Sequence, residues 1–345
     1  MIDFKECSDK YFYIFADCFL VRGHTRTMLL DVTRGNYIFL DNDYATLLKE
    51  LSRYKIGIVR SHISSEEGTA EFNKLLNYLY ENEQGEIVDD ISLFPPINLE
   101  WDTPAAITNA IIDIAELDHD YEKVLTELNA LNCRHIQLRS YTTKPVSYFM
   151  EILEMVSRTD ILSVEVLTKY DEVETEAGKL LEAVQRYSFV NFTIHSAPAG
   201  LEVPRERKFK NHVLYLTQEL TSCGNCGVIN RYSFITPNMG NLMENMLFNS
   251  CLNRKISIDQ DGQIKNCPSM KTSYGAISDT SLLDVVQQDP FKGYWNITKD
   301  AIEGCRDCEY RYVCTDCRAY TTDEENLYAK PLKCKYDPYT GVWAN

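Results

Sequence analysis

The sequence predicts an α/β protein built in three successive segments. Three observations carry this. From residue 97 to 220, strand-like and helix-like stretches alternate at close to one βα unit each. Residues 1–93 read as a small sheet followed by helices. The last third is crowded with cysteine: Cys251, Cys267, Cys305, Cys308, Cys314, Cys317 and Cys334, out of twelve in the chain. Cys is too small to fill a core well and brings reactivity, so packing alone does not ask for thiols at this density.

Length, charge and composition set the bounds. The chain has 345 residues, room for two or three domains at roughly 100–200 residues each. It is 44% hydrophobic and 25% charged, ordinary for a globular chain. A formal charge of −16 argues against nucleic acid, whose phosphates need basic faces, and against an anionic membrane surface. No run is long enough to span a bilayer. The start, Met1-Ile2-Asp3-Phe4-Lys5-Glu6, lacks the basic-then-apolar layout of a signal peptide. A cytoplasmic protein is expected. Thiols stay reduced there, so the cysteines read as metal ligands before disulfides.

In the first segment, 1–93, residues 11–22 are aromatic and β-branched and read as a strand. Residues 27–32 and 37–40 read as two more, turned at Thr33-Arg34-Gly35-Asn36. Asp41, Asn42 or Asp43 can cap a helix to about residue 54, and 56–60 reads as a short strand. Ser64-Ser65-Glu66-Glu67 is a capping-box pattern ahead of the stripe Phe72, Leu75, Leu76, Leu79, with Gly85 as the stop. Leu29-Leu30-Asp31 through Tyr37-Ile38-Phe39-Leu40-Asp41 resembles the winged-helix-like precursor-recognition element of peptide-modifying enzymes, the fold of the pyrroloquinoline-quinone peptide chaperone. That resemblance implies a leader peptide held as an extra strand on an open sheet edge. The plainer reading is a small packing domain with no ligand.

Phe94-Pro95-Pro96 reads as a linker into the second segment, 94–221. Strands are expected at 97–101, 135–138, 162–168, 189–196 and 212–220. Helices between them carry Tyr121, Val124, Leu125, Leu128 and Leu131, then Phe149, Ile152, Leu153 and Val156, then Ala177, Leu180, Leu181 and Val184. A parallel sheet or partial (β/α) barrel follows. Sites in such folds sit at the C-terminal ends of strands, where Asp102, Arg139, Ser140, Tyr141, Thr168, Lys169, His195 and Ser196 fall. None forms a spacing that names a chemistry. His135 and His195 read first as core or rim residues, and Cys133 as simply buried. There is no Walker loop, no G-x-G-x-x-G and no nucleophile elbow.

The third segment, 222–345, holds the sulfur. Cys223-Gly224-Asn225-Cys226 is a C-x-x-C knuckle. Lys255-Ile256-Ser257-Ile258-Asp259 alternates like a strand, Asp261-Gly262 is a hairpin turn, and the return arm ends at Cys267. Cys305-x2-Cys308-x5-Cys314-x2-Cys317 follows. This run resembles a SPASM domain, the cysteine-rich extension of radical S-adenosylmethionine peptide maturases. It departs in one spacing, two residues between Cys314 and Cys317 where three is usual. The resemblance implies two auxiliary 4Fe-4S clusters. One would use Cys251, Cys267, Cys317 and Cys226, with Cys223 as the alternative to Cys226. The other would use Cys305, Cys308, Cys314 and Cys334. Structural zinc also takes four Cys, and spacing alone does not separate the two.

The catalytic C-x3-C-x2-C of radical S-adenosylmethionine enzymes is missing from the whole sequence. At the second strand, Arg139-Ser140-Tyr141-Thr142 stands where the family has its Gly-Gly-Glu-Pro loop. No S-adenosylmethionine is therefore expected, since Ala or Ile cannot replace thiolate ligands to iron. The chain as a whole resembles the SPASM-domain proteins of grasp-with-spasm systems. It does so most at Asn249-Ser250-Cys251-Leu252-Asn253-Arg254-Lys255-Ile256-Ser257-Ile258-Asp259, Asn266-Cys267-Pro268-Ser269-Met270 and residues 305–318. That implies maturation of a ribosomally made peptide, with the precursor and an ATP-grasp ligase as partners. Two other functions fit the residues: a redox enzyme acting on the peptide through its clusters, and a zinc-stapled interaction scaffold.

Overall fold

The computed structural model describes residues 2, 4–114, 119–204, 206–234, 236 and 238–344. Residues 11–22 form two strands rather than one, β1 (Tyr11–Ile14) and β2 (Cys18–Arg22). A turn divides them, with the Cys18 N–H donating to the Phe15 carbonyl at 2.9 Å. β3 (Thr27–Asp31) and β4 (Asn36–Leu40) complete an antiparallel sheet in the order β2-β3-β4. β3 is buried along its whole length because both faces of this sheet are covered. Leu29 packs on the first face, with Phe12, Leu48, Phe72 and Leu76. Val21, Met28, Leu30 and Val32 pack on the second, against Leu242, Tyr310, Val313 and Tyr336.

Helices α1 (Asn42–Glu50), α2 (Ile56–Ser61) and α3 (Glu66–Glu81) supply the rest of the first face. The strand expected at 56–60 is α2. A strand would bury alternate residues, whereas here Ile56 and Val59 are buried and Ile58 is exposed, which is helical spacing. The N-cap of α3 is Ser65, whose Oγ accepts from the Gly68 N–H at 3.0 Å, and Glu66 and Glu67 favour its positive end. Gly85 does not stop α3. It opens β5 (Gly85–Val88), paired antiparallel with β1.

The middle of the chain alternates as expected, except that its first strand lies further along the chain. Residues 97–101 form no strand. The first strand is β6 (Asn109–Asp113), followed by α4 (Tyr121–Ala130), β7 (His135–Arg139), α5 (Val146–Val156), β8 (Ser163–Lys169), α6 (Ala177–Arg186), β9 (Val190–His195), α7 (Arg207–His212) and the short β10 (Val213–Tyr215). Then come α8 (Met239–Leu247), β11 (Lys255–Ile258), β12 (Ile264–Lys265), α9 (Leu282–Gln287) and α10 (Asp289–Lys292). One seven-stranded sheet runs β10-β9-β8-β7-β6-β11-β12, parallel except for β12. The slot beside β6 is filled by β11, which leaves 97–101 no edge to pair with. Trp101 instead packs on Phe248, with ring centroids 5.5 Å apart. The helical stripes lie where the periodicity puts them: Val124, Leu128, Phe149, Leu153, Leu180 and Val184 share one core with Ile256, Leu282 and Phe291. Among the described residues, no helix is long and apolar enough to cross a membrane.

Candidate functional site

The β11–β12 hairpin brings the arms carrying Cys251 and Cys267 together. Burial pushes Cys267 up to about 12, neighbouring Cys251 adds to the push, and Cys226 contributes further. Cys317 is raised by burial and then by Cys251. Gly227 explains how Cys317 reaches the knuckle. A Cβ on Gly227 would stand 2.8 Å from the Cys317 Sγ, so a side chain there would shut the thiol out. The Lys255 Nζ stands 3.6 Å from the Cys251 Sγ. Cys223 and Cys226 both lie at this group. Each adds to the push on the half-buried Tyr141 hydroxyl, which burial raises first.

Cys305, Cys308, Cys314 and Cys334 line a single pocket together with Lys299, Tyr310, Tyr336 and Trp343. Burial raises Cys305 and Cys314 to about 12 and Cys308 well above its ordinary value. A metal cation reverses this, because a coordinating thiol is deprotonated outright. Cys334 is drawn in from beyond the knot by a parallel bridge between Ile229 and Cys334.

A buried polar network joins the two groups. The Asn249 Oδ1 accepts from the Cys251 and Leu252 N–H groups at 3.1 and 2.9 Å. Its Nδ2 donates to the Asp316 Oδ2 at 2.7 Å. Asp316 lies between Cys314 and Cys317 and is paired with Arg318 at 2.7 Å. Asp316 is thereby used as an ion-pair partner, leaving sulfur as the donor chemistry around it. All twelve cysteines are free thiols. Among the described residues, no three Cys, His, Asp or Glu side chains converge on a point that would hold one ion. Structural zinc would take four thiolates at about 2.3 Å from each sulfur. A 4Fe-4S cluster binds each thiolate at a different corner iron, so its sulfurs stand apart around a shared space. Four thiols line one pocket and supply the four donors that such a cluster takes.

The residues expected at the sheet mouth are divided. Arg139 ends β7 and pairs with Asp113, Nε to Oδ1 at 2.6 Å, with both side chains buried. Asp113 carries no signal in the sequence reading, because the first strand expected at 97–101 lies at Asn109–Asp113 instead. Tyr141 lies beside them, its ring centroid 5.8 Å from the Arg139 guanidinium carbon. Ser140 and Thr168 are buried and both hydroxyls donate to the Thr142 carbonyl, at 2.8 and 3.4 Å. Lys169 pairs with Glu219 at 3.0 Å. Ser196 takes a left-handed backbone at φ +58°. Asp102 is not at a strand end. It is exposed and paired with Arg254 at 3.3 Å. His135 is exposed at its strand start, its Nδ1 2.7 Å from the Ser163 Oγ. Cys133 is buried alone, donating to the His135 carbonyl at 3.4 Å.

His195 is buried and its ring is held below the ordinary histidine value, chiefly by loss of water. It is therefore neutral when folded and free to protonate when unfolded. Below about pH 6.5 the unfolded chain takes up a proton that the folded chain refuses, so stability falls as pH falls. His195→Gln is expected to flatten the decline in Tm between about pH 7 and pH 5. Parallel pH profiles for the two proteins would rule this out.

No family model matches the chain, and no curated protein matches it in sequence. Among solved structures, the chain is similar to Streptococcus suis SuiB, determined bound to its precursor peptide SuiA. The identity is 12% and the TM-score 0.32, over 92% of this chain and 98% of that one. A superposition that loose transfers nothing to this chain.

Proposed function

We propose that this chain is a maturation factor for a ribosomally made peptide and carries two 4Fe-4S clusters. One is held by Cys251, Cys267, Cys317 and Cys226 or Cys223, the other by Cys305, Cys308, Cys314 and Cys334. The observation that carries the reading is the pocket lined by Cys305, Cys308, Cys314 and Cys334, three thiols of one short loop joined by a fourth from further along the chain. The clusters staple a loop-rich region whose own regular structure is sparse. The division into 1–93 for precursor recognition, 94–221 as a degenerate radical S-adenosylmethionine core and 222–345 as a SPASM domain belongs to this proposal. So does the ATP-grasp ligase as partner. S-adenosylmethionine has no part in it: Ile114-Ala115-Glu116-Leu117-Asp118-His119-Asp120, between β6 and α4, contains no cysteine.

A redox enzyme is the second reading. It is favoured by Arg139 and Tyr141 at the end of β7, with Tyr141 beside Cys223 and Cys226. Protein purified without oxygen is expected to hold about eight iron and eight sulfide per chain, two cubanes. It is also expected to bind its precursor peptide in calorimetry. About two zinc without sulfide would establish the scaffold instead. A change in precursor mass on incubation with reduced protein would favour the enzyme, with Arg139, Tyr141 and Lys169 as the residues to vary.

A further inference from the structure

Each thiol group is accompanied by one lysine, and neither lysine belongs to the cysteine pattern. Lys299 is 2% exposed and lines the pocket of Cys305, Cys308, Cys314 and Cys334. Its Nζ donates to the Cys314 carbonyl and the Ser250 Oγ. Ser250 in turn donates to the same Cys314 carbonyl at 3.2 Å and accepts from the Asp316 N–H at 3.0 Å. Lys299 is thus fixed against the backbone of a thiol-bearing loop. Lys255 stands at the start of β11, its Nζ 3.6 Å from the Cys251 Sγ and facing the group that includes Cys267. Carboxylates claim neither cation among the hydrogen bonds and ion pairs of the described residues. Asp316 is taken by Arg318 and Asp259 by Lys265.

A buried ammonium is costly without an anion nearby. Four thiolates outweigh the positive charge of an iron–sulfide core, so a bound cluster is anionic, and more so after taking up one electron. Burial of such a centre is costly in the same way. Each cost offsets the other where lysine and cluster are neighbours, and the offset is larger for the reduced cluster.

We propose that Lys255 and Lys299 are positioning residues of charge, one for each thiol group, that favour the one-electron-reduced state of the cluster held there. The inference rests on the reading of both groups as 4Fe-4S sites. It adds that the clusters are poised to accept an electron instead of acting as inert staples. Lys255 acts on the cluster of Cys251, Cys267 and Cys317, and Lys299 on that of Cys305, Cys308, Cys314 and Cys334.

The test is a redox titration of the whole chain, purified without oxygen, with dithionite as the reductant and electron paramagnetic resonance as the readout. Lys255→Gln and Lys299→Gln keep a donor and remove the charge. Each is expected to lower the reduced-to-oxidised ratio of one cluster at fixed potential by about tenfold, about 59 mV for a one-electron couple. Each leaves the other cluster unmoved, and Lys255→Arg and Lys299→Arg keep the wild-type value. Full iron with unshifted potentials in both Gln variants overturns the proposal, as does loss of iron with the remaining cluster's potential unchanged, which is a purely structural role. If Lys299→Gln does not fold, Lys255→Gln decides alone. Wild-type protein without iron and sulfide brings down the cluster reading itself, a distinguishable result.

Discussion

Replacing Cys308 and Cys334 with serine is expected to remove about half of the iron and sulfide and leave the rest in place, because four thiolates hold one cubane. Both thiols line the pocket that also contains Cys305 and Cys314. The pair lies outside the group of Cys251, Cys267 and Cys317, so that site keeps its donors. Stability should fall as well. Ligand binding and folding are coupled where a metal staples loops, and the segment from Cys305 to Cys334 contains a single short 3-10 turn as its regular structure. Val313, Tyr310 and Tyr336, which flank these cysteines, form one core with the second face of β3, so loosening should spread to the N-terminal sheet. The matched control is Cys18→Ser with Cys133→Ser, thiols raised first by burial, with Asp31 and Asp17 adding to the push on Cys18, and remote from the pattern. Iron counting and thermal denaturation on both pairs decide the matter. Equal iron in the two double variants would show that the pocket thiols hold no cluster.

Much of this arrangement is legible in the sequence, for a physical reason: short-range spacing reports local geometry. The stripes of α4, α5 and α6 fall at helical intervals because one face of each meets the same sheet. The Asp261-Gly262 turn sets the hairpin that joins the arms of Cys251 and Cys267. What the sequence hides is long-range competition. Ile56, Ile58 and Val59 are β-branched and make 56–60 look like a strand, yet Ile56 and Val59 meet the core only if the segment coils. Residues 97–101 have an acceptable strand pattern but lose the sheet edge to β11, more than 150 residues later by the numbering. That misplacement concealed Asp113, the partner of Arg139. Lys299 and Glu309 leave no spacing signature, because their roles arise from contacts made across the fold.

Arg26 and Glu309 make such a contact, and Arg26→Met is expected to destabilise the protein by about 3 kcal/mol. The Glu309 carboxylate is completely buried, next to Cys308 in sequence. Its Oε1 accepts from the Arg26 Nε at 2.7 Å and the Tyr336 hydroxyl at 2.6 Å. The Arg26 Nη2 donates to the Tyr310 hydroxyl at 2.9 Å, and its guanidinium carbon lies 3.6 Å from the centroid of the Phe39 ring on β4. Gly23 makes the approach possible, since a Cβ there would stand 2.8 Å from the Glu309 Oε2. Removing the cation leaves a buried charge with one remaining donor, which costs more than the pair itself contributes. Arg26 keeps about a third of its side chain in water, which places the loss at the lower end of the range for buried pairs. Arg26→Met combined with Glu309→Gln should therefore be less damaging than Arg26→Met alone, because the amide carries no charge to strand. The pair clamps the N-terminal sheet onto the cysteine end, so hydrogen exchange in Arg26→Met should rise in β2, β3 and β4 before it rises in β7 or β8. If the double variant is as unstable as the sum of its parts, the ion pair is not what holds the two ends together. If exchange rises evenly across all strands, the clamp is not local to the N-terminal sheet.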